Sequence, residues 1–404
     1  MGKRVLVSGL GIAGPATAFW LERYGFEVEM VEIAPGPRTG GYVIDFWGAG
    51  FEVAERMGIL PALRAGDLRI EEVRVVDGAG RKRGGFRTES VRRVMRDRFV
   101  SVPRSHLARV LYESLRGRVA CRFGDTVTAI EEAGGAEGGA LVSFGSGARE
   151  RYDVVIGADG LHSGVRRAAF GEEERYRVDL GYAVAAFNVR DYPHKTPAVY
   201  VGYAVPDKQV ARYDLADGRT GVFFIFRHSG ALPEDRSGQV ALVRERFSGA
   251  GWECGELLEH LEVSADAYCD TVSQIRMPGW SRGRVALVGD AAFCPSLLAG
   301  QGSAMAMVGA YVLAGELSRA AGDWGRGFAE YERKLRPYME GKQRSGERFA
   351  RRFVPRSRAG IWWRNQVMKL MGAPAVTRLA FGRLMREGVK LEAYGAMDVA
   401  GGGG

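Results

Sequence analysis

The chain has 404 residues, 46% hydrophobic and 26% charged, which excludes the disordered and fibrous classes. Its four cysteines and five histidines lack metal-ligand spacing, which argues against a disulfide framework or a zinc module. The formal net charge is +9, but the arginines are dispersed along the chain, so we expect no nucleic-acid partner.

The amino terminus does not predict a targeting segment. Basic residues precede an apolar stretch, but glycines interrupt that stretch and a charged helix pattern follows it. No run of 18 apolar residues occurs, so we expect no membrane span. The sequence therefore predicts a cytoplasmic protein.

A glycine-rich turn follows the first predicted strand. The strand covers residues 5–8, the turn reads Gly-Leu-Gly-Ile-Ala-Gly over 9–14, and helix periodicity continues to residue 24. A second predicted strand, 27–33, contains Glu32 about twenty positions beyond the turn. This order of strand, turn, helix and acidic strand end is the dinucleotide-binding pattern.

Each residue type in this pattern has a physical role. Gly9 permits the tight turn, Gly11 lets a pyrophosphate approach the backbone, and Gly14 lets the helix pack on the strand. The helix N-terminus presents amides to the phosphates. Glu32 can accept hydrogen bonds from ribose hydroxyls, and its charge repels a 2′-phosphate. The pattern thus favours FAD or NAD over NADP at this site.

Two later segments repeat the motif of a buried strand that ends in a glycine turn. Residues 152–167 contain Gly-Ala-Asp-Gly at 157–160, followed by a helix pattern. Residues 283–292 end in a Gly-Asp turn, and Gly-Gln-Gly at 300–302 then opens a helix that we expect to continue to about residue 317.

In order and spacing, the three motifs resemble those of the class A flavoprotein monooxygenases, the para-hydroxybenzoate hydroxylase-like family, over residues 3–340. The segments RVALVGDAA and GAYVLAGEL look most similar to the branch of tetracycline-inactivating monooxygenases and polyketide hydroxylases. The resemblance implies an α/β fold with a Rossmann-like FAD-binding domain of the GR2 type, an inserted β-sheet substrate domain and C-terminal helices.

The resemblance also implies how FAD is held. Asp290 would bond the ribityl chain, the helix N-terminus at Gly302 would face the flavin N1–C2=O edge, and Asp159 would lie near the pyrophosphate, with Arg166 steadying that turn. The full implied cofactor set is Gly9, Gly11, Ile12, Ala13, Gly14, Glu32, Arg38, Arg104, Val127, Asp159, Gly289, Asp290, Gly300, Gln301, Gly302 and Ser303.

We predict domains assembled from separated segments. The FAD-binding domain comprises 1–72, 100–175 and 273–330, the substrate domain comprises 73–99 and 176–272, and 331–400 forms a C-terminal helical segment. Within that segment, residues 361–389 are basic and amphipathic. They would form either a membrane-surface helix or a pocket cover, and we expect the cover.

The resemblance implies that NAD(P)H reduces FAD and that O2 forms a flavin C4a-hydroperoxide, which oxygenates a bulky phenolic or enolic substrate such as an antibiotic or its precursor. No second dinucleotide motif occurs, so NAD(P)H would bind transiently. We assign no catalytic side chain, because the flavin carries the chemistry. The substrate candidates are Arg190, Arg212 and Phe224, and we expect a monomer or a homodimer.

Two positions depart from the family pattern. Phe293 stands where the family commonly has histidine or tyrosine, and Leu297 stands where it commonly has proline. Both changes concern the geometry of oxygenation rather than cofactor binding. A flavin-dependent reductase or dehydrogenase, or a flavoprotein that sequesters a ligand, therefore remain the alternatives to a monooxygenase.

Overall fold

The computed structural model describes residues 2–37, 40, 42–115, 117–132, 138–264, 267–373, 375–379 and 388–395. The strands within these ranges are β1 Arg4–Ser8, β2 Glu27–Glu32, β3 Val43–Trp47, β4 Glu72–Val76, β5 Lys82–Arg87, β6 Phe99–Pro103, β7 Ala120–Phe123, β8 Val127–Glu132, β9 Ala140–Phe144, β10 Arg149–Tyr152, β11 Val154–Gly157, β12 Arg177–Val189, β13 Val199–Val205, β14 Lys208–Asp214, β15 Thr220–Arg227, β16 Tyr268–Ile275, β17 Ser281–Arg282 and β18 Val285–Leu287. The α-helices are α1 Ala13–Arg23, α2 Ala49–Arg56, α3 Leu60–Ala65, α4 Glu89–Val94, α5 Arg104–Ser114, α6 Gly164–Phe170, α7 Arg236–Phe247, α8 Cys254–Val263, α9 Asp290–Phe293, α10 Gly302–Ala320, α11 Trp324–Phe353 and α12 Arg358–Leu370.

A six-stranded sheet brings the three glycine motifs to one edge. Its strand order is β17-β18-β11-β1-β2-β7, and β1, β2, β11 and β18 run parallel. Ser8 pairs with both Val31 and Gly157, and Gly157 pairs with Leu287. Because the carboxyl ends of parallel strands lie at the same edge, the turns that follow β1, β11 and β18 meet there. The central strands are apolar and buried, in one core shared with α1, α10 and the antiparallel sheet β10-β9-β8.

A seven-stranded sheet forms the second layer of the molecule, with the order β16-β12-β15-β14-β13-β4-β5. One face packs against α7 and α8, and the other faces a large cavity. Side chains alternate between the faces along each strand. The 73–99 and 176–272 segments supply most of this sheet, but the division of the chain into domains remains a prediction.

Smaller elements complete the frame. Sheet β10-β9-β8 is antiparallel, and β3 pairs with β6 so that Asp45 lies opposite Ser101. Helix α11 packs along α10, and α12 packs against β5 and β13. In the part of the chain that the structure describes, no helix is long and apolar enough to span a bilayer.

Candidate functional site

A single cavity of about 1100 Å³ connects the glycine edge of the six-stranded sheet with the inner face of the seven-stranded sheet. This exceeds the roughly 300–1,000 Å³ of most small-molecule pockets, so it has room for a cofactor and a second molecule. Twelve residues of the predicted cofactor set line it, namely Gly9, Gly11, Ile12, Ala13, Glu32, Arg104, Asp159, Asp290, Gly300, Gln301, Gly302 and Ser303.

The glycine turn has the shape that a pyrophosphate needs. Gly9 has φ +104°, and a Cβ there would lie 2.6 Å from the Ala158 carbonyl oxygen. At Gly14 a Cβ would lie 1.8 Å from the Gly9 carbonyl oxygen, which is why the helix can pack so closely. At Gly11, by contrast, only the Arg104 guanidinium comes within 4 Å. The backbone at Gly11 is therefore open to a ligand.

Glu32 ends β2 with its carboxylate in the cavity wall. Its Oε2 accepts a hydrogen bond from the Leu10 amide at 2.6 Å, and its Oε1 accepts one from the Ala34 amide at 3.0 Å. An ionised carboxylate offers about four lone pairs. The two backbone bonds fix the orientation of the carboxylate in the cavity wall.

Two helices direct their N-termini into the cavity. Neither α1, whose N-cap is Ile12, nor α10, whose N-cap is Gln301, has a side chain that caps its first amides. Such amides are ready donors for a phosphate or a flavin carbonyl. A Cβ on Gly302 would lie 3.6 Å from Oδ1 of Asp290, so this carboxylate stands beside the start of α10. Burial raises the pKa of Asp290, and nearby Arg104 opposes that rise.

The turn after β11 is held by its own polar network. Asp159 accepts hydrogen bonds from the Ser163 hydroxyl and from the Val165 amide, which fixes the start of α6. The buried Arg166 donates to the carbonyl oxygens of Leu161 and Ala291 and to Glu173. Arg166 thereby ties the second glycine motif to the third.

Ser296 shows the local strain that marks a binding loop. It has φ +87° and ψ +152°, a region that only glycine adopts without cost. Its hydroxyl is buried and lacks a protein partner among the described residues, although Ser296 lines the cavity. A ligand that formed a hydrogen bond with this hydroxyl would supply its missing partner and would account for the strained backbone conformation that holds it in place. Together with the open glycine and the uncapped helices, this makes the site fit a bound dinucleotide.

Four predicted cofactor residues do not line the cavity. Gly14 and Gly289 act through packing instead: at Gly289, with φ +67°, a Cβ would lie 2.8 Å from that of Ala13. Val127 lies in β8, while its neighbour Thr126 lines the cavity. Arg38 lies outside the described residues.

The three substrate candidates are corrected by the structure. Arg190 is exposed and lies away from the cavity wall. Arg212 pairs with Glu253, and Phe224 packs in the core beneath α7 and α8. The physical reason is strand alternation, which turns Phe224 and Arg212 away from the cavity while their chain neighbours Phe223 and Tyr213 line it. Because β15 is apolar on both faces, its sequence pattern carried no signal for the correct face.

The second half of the cavity is largely aromatic. Its lining includes Tyr42, Trp47, Phe86, Phe99, Tyr200, Tyr213, Phe223, Tyr268, Phe349 and Phe353. Tyr200 and Tyr213 stack with ring centroids 6.0 Å apart, and the Tyr213 hydroxyl accepts a hydrogen bond from the Val43 amide at 3.0 Å. These side chains can hold a flat, multi-ring molecule.

Asp45 places a carboxylate in this aromatic region. The Ser101 hydroxyl donates to its Oδ1 at 2.6 Å, and the carboxylate faces the cavity. Desolvation by the surrounding protein raises the pKa of Asp45, whose side chain is exposed to the cavity, while the bond from Ser101 and the charge of Arg92 lower it. Burial also raises the pKa of the phenol of Tyr42, another residue of the cavity lining, to about 12. Asp45 is thus a cavity base that sequence analysis did not single out.

The two departures from the family pattern lie in different surroundings. Phe293 is buried, with its ring 4.8 Å from that of Trp280, so it belongs to the core. Leu297 lines the cavity in a short 3₁₀ turn, Leu297–Ala299. Of the two changes, Leu297 is therefore the one that alters the cavity wall.

The helical tail divides into a wall and an outer layer. Phe349 and Phe353 of α11 line the cavity, whereas none of the described residues of α12 does so. The expectation that the 361–389 segment covers the pocket is thus wrong for α12, because α12 packs over β5, behind the cavity wall.

Comparison with known proteins agrees with this geometry. Residues 3–340 match the family model described as an FAD binding domain. The chain belongs to this family of FAD-binding proteins. The resemblance inferred from the three motifs is confirmed, as is the α/β fold.

Relatives and solved structures extend the match over nearly the whole chain. A flavin-dependent monooxygenase of Legionella longbeachae is 34% identical over 360 residues, 85% of this chain and 87% of the relative. An uncharacterized protein of Mycobacterium tuberculosis is 38% identical over 353 residues, 84% and 92% respectively. The tetracycline destructase Tet(55) superposes with a TM-score of 0.82 at 32% identity, with 97% of this chain and 99% of that one covered.

FAD is accordingly the cofactor of this protein, and the protein is an enzyme of the flavin-dependent monooxygenase type. FAD supplies the redox and oxygen-activating chemistry when bound. The individual contacts assigned to FAD, from Glu32 at one end of the cavity to Asp290 and Gly302 at the other, remain predictions.

Proposed function

We propose that this flavin-dependent monooxygenase uses NAD(P)H and O2 to hydroxylate a bulky, fused-ring phenol or enol. The observation that carries the proposal is the continuous cavity. Its glycine-lined half suits the dinucleotide, and its aromatic half begins beside the N-terminus of α10. A solved structure with 32% identity is named a tetracycline destructase, and tetracycline is a fused-ring molecule of this chemical class.

Asp45 would orient the substrate through a phenolic or enolic hydroxyl. Because its carboxylate faces the cavity and has one described side-chain donor, Ser101, it has lone pairs free for a substrate hydroxyl. A carboxylate that accepts this proton makes the ring more electron-rich, which favours attack by an electrophilic oxygen donor. Asp45 is the general base in this proposal.

The aromatic walls would exclude water from the reacting carbon. Phe223 and Tyr213 come from the large sheet, and Phe349 and Phe353 come from α11, so the substrate would be enclosed from two sides. Low polarity around the reaction limits the loss of activated oxygen as peroxide. Since no described helix carries a second dinucleotide turn, NAD(P)H would enter and leave transiently.

The test is oxidation of NADH and NADPH by the FAD-loaded enzyme with a panel of polycyclic phenols, followed by product mass after reaction under isotope-labelled O2. A rate stimulated by one compound, with label in its product, is the expected result. Stimulated oxidation that forms only peroxide or unlabelled product would instead indicate a reductase. Binding without stimulated oxidation would indicate a ligand-sequestering flavoprotein.

The cellular location, the oligomeric state and the biological role of the protein stay as predictions. We infer a cytoplasmic location and a monomer or homodimer, which gel filtration with light scattering would distinguish. The choice between biosynthesis and inactivation of an antibiotic follows from the identity of the substrate in the assay above.

A further inference from the structure

Large exposed apolar side chains concentrate in one part of the described surface. Nine such side chains are exposed; of these, Ile33, Tyr268 and Phe349 line the cavity. Five others belong to the C-terminal segment, namely Trp362, Trp363, Val367, Leu370 and Leu379. A contiguous patch of exposed apolar side chains indicates a surface that binds a partner. The C-terminal segment carries such a patch, and none of its five residues lines the cavity.

Four of these side chains form one face of α12. Trp363, Val367 and Leu370 follow each other at intervals of four and three residues, which aligns them along one stripe of a helix, with Trp362 beside it. They are 51–64% exposed. The two tryptophan rings contact each other, with centroids 5.2 Å apart. We call these four residues the outer face of α12.

The opposite face of α12 is fixed to the protein. Arg364 donates to Oε1 of Gln209 at 2.6 Å, and Asn365 is buried against Gly84, where a Cβ would lie 2.9 Å from the Asn365 carbonyl oxygen. The Ser357 hydroxyl accepts a hydrogen bond from the Gly360 amide and so caps the helix. The outer face is therefore presented by a helix already anchored in the fold.

The charge of this segment identifies the partner. Residues 348–386 contain ten basic and no acidic residues, so the rest of the chain has a formal net charge of −1. Arg358 and Lys369 are exposed on α12, and Arg356 and Arg378 are exposed in the chain before and after it. A second copy of the chain would bring two positive surfaces together, which is unfavourable. A partner with an anionic surface and an apolar interior would complement both the positive charge of the segment and the apolar side chains of the outer face.

We propose that the outer face of α12 docks on the surface of an anionic lipid bilayer. Tryptophan is favoured at the boundary between headgroups and acyl chains, and basic residues around an apolar helix face attract anionic lipids, each by about fivefold in binding. The helix lies in the plane of the interface. This property is independent of the reaction proposed above.

The experiment is sedimentation of the full, FAD-loaded chain with vesicles of equal parts phosphatidylglycerol and phosphatidylcholine, and with vesicles of phosphatidylcholine alone. We expect binding to the mixed vesicles, weaker binding to the neutral ones, and a decrease as salt is raised. The double variant Trp362→Ala/Trp363→Ala should bind the mixed vesicles roughly tenfold more weakly or worse.

Matched variants make the result specific. Val263→Ala removes an exposed aliphatic side chain from α8 and should bind like the unaltered chain. Arg358→Glu/Lys369→Glu should reduce binding, whereas Arg109→Glu/Arg149→Glu, at exposed sites in α5 and β10, should reduce it much less. FAD absorbance and the unfolding temperature of each variant report that it is folded.

Three results would overturn the proposal. One is absence of binding to the anionic vesicles, and another is equal binding by the tryptophan double variant. The third is a concentration-dependent dimer that the double variant abolishes, which would assign the outer face to a second copy of the chain.

Discussion

Phe223 and Phe224 are adjacent in β15, yet their rings lie on opposite faces of the seven-stranded sheet. Phe223 lines the large cavity, with its ring centroid 6.3 Å from that of Tyr42. Phe224 is fully buried on the other face, where its ring contacts that of Phe247 at 4.7 Å. One side chain therefore belongs to the cavity wall, where we propose that the substrate binds, and the other to the core that supports it.

This pair supplies a matched test of the cavity wall. Phe224→Ala should lower the free energy of unfolding by ~3–5 kcal/mol, because it leaves a cavity beneath α7. Phe223→Ala should destabilise the protein less but raise KM for the substrate or increase peroxide release, because it opens the wall. Denaturant unfolding and the coupling of NAD(P)H oxidation to product measure the two effects. An unchanged coupling in Phe223→Ala would place the substrate elsewhere.

Glu32 should decide how tightly FAD is held. Glu32→Gln removes a charged acceptor for the ribose hydroxyls, worth ~1.5–3 kcal/mol, so we expect FAD to bind roughly tenfold to a hundredfold more weakly. The regain of flavin fluorescence on dilution measures this. Glu27→Gln, at the exposed start of β2, is the control. Equal FAD affinity in the two variants would contradict the assigned role.

Ionisation of Asp45 should determine the acid limb of the pH profile, that is, the rise of kcat with pH on the acidic side. Desolvation by the surrounding protein raises the pKa of this carboxyl, so as the pH falls through the raised pKa it becomes protonated and cannot accept the substrate proton. We expect kcat to rise with pH through that value. Asp45→Asn should abolish this limb and lower kcat by roughly 10²–10⁴-fold.

Ser101→Ala offers a second variant for the same group. The Ser101 hydroxyl lowers the pKa of Asp45, so its removal should move the acid limb to higher pH without abolishing it. A pH profile of kcat for the two variants measures both effects. The role of Asp45 as the base fails if Asp45→Asn retains the same limb.

His162 should make stability depend on pH in the alkaline range. It lies between Asp270, at 3.2 Å, and Glu173, at 3.0 Å, and these two carboxylates raise its pKa to about 9. A histidine whose pKa is raised on folding contributes stability that is fully present below the unfolded pKa of about 6.5. The contribution is lost as the pH rises through 9.

Thermal unfolding between these pH values tests this prediction. The unfolding temperature should fall with pH, and His162→Gln should flatten that dependence. His228→Gln is the control, since the ring of His228 contacts the carbonyl oxygen of Ala231 rather than a carboxylate. If His162→Gln and the unaltered chain showed the same pH dependence of the unfolding temperature, the protonation of His162 would not be its cause.

The cofactor half of the cavity was predictable because local chain geometry determines it. The turn at Gly9 needs a positive φ, and the close approach at Gly14 needs the absence of a side chain. Both requirements can be recognised from the glycines in the sequence. Parallel strands then bring turns that are distant in sequence to one edge, as for Asp159 and Asp290. Twelve residues of the cofactor set that the family resemblance implies thus lie around one cavity.

The substrate half was decided only by the tertiary structure. A strand buried on both faces carries no alternation of polarity, so nothing in β15 distinguishes Phe223 from Phe224. Asp45 gained its importance from the pairing of β3 with β6, which sets Ser101 opposite it. From the residues alone, the glycine turns determined a dinucleotide site, because such a site depends on backbone conformation at a few glycines, and the resemblance of the three motifs to a known family implied FAD and the fold. Which side chains meet the substrate depends on the sheet face and on contacts between distant segments, and only the folded chain decides those.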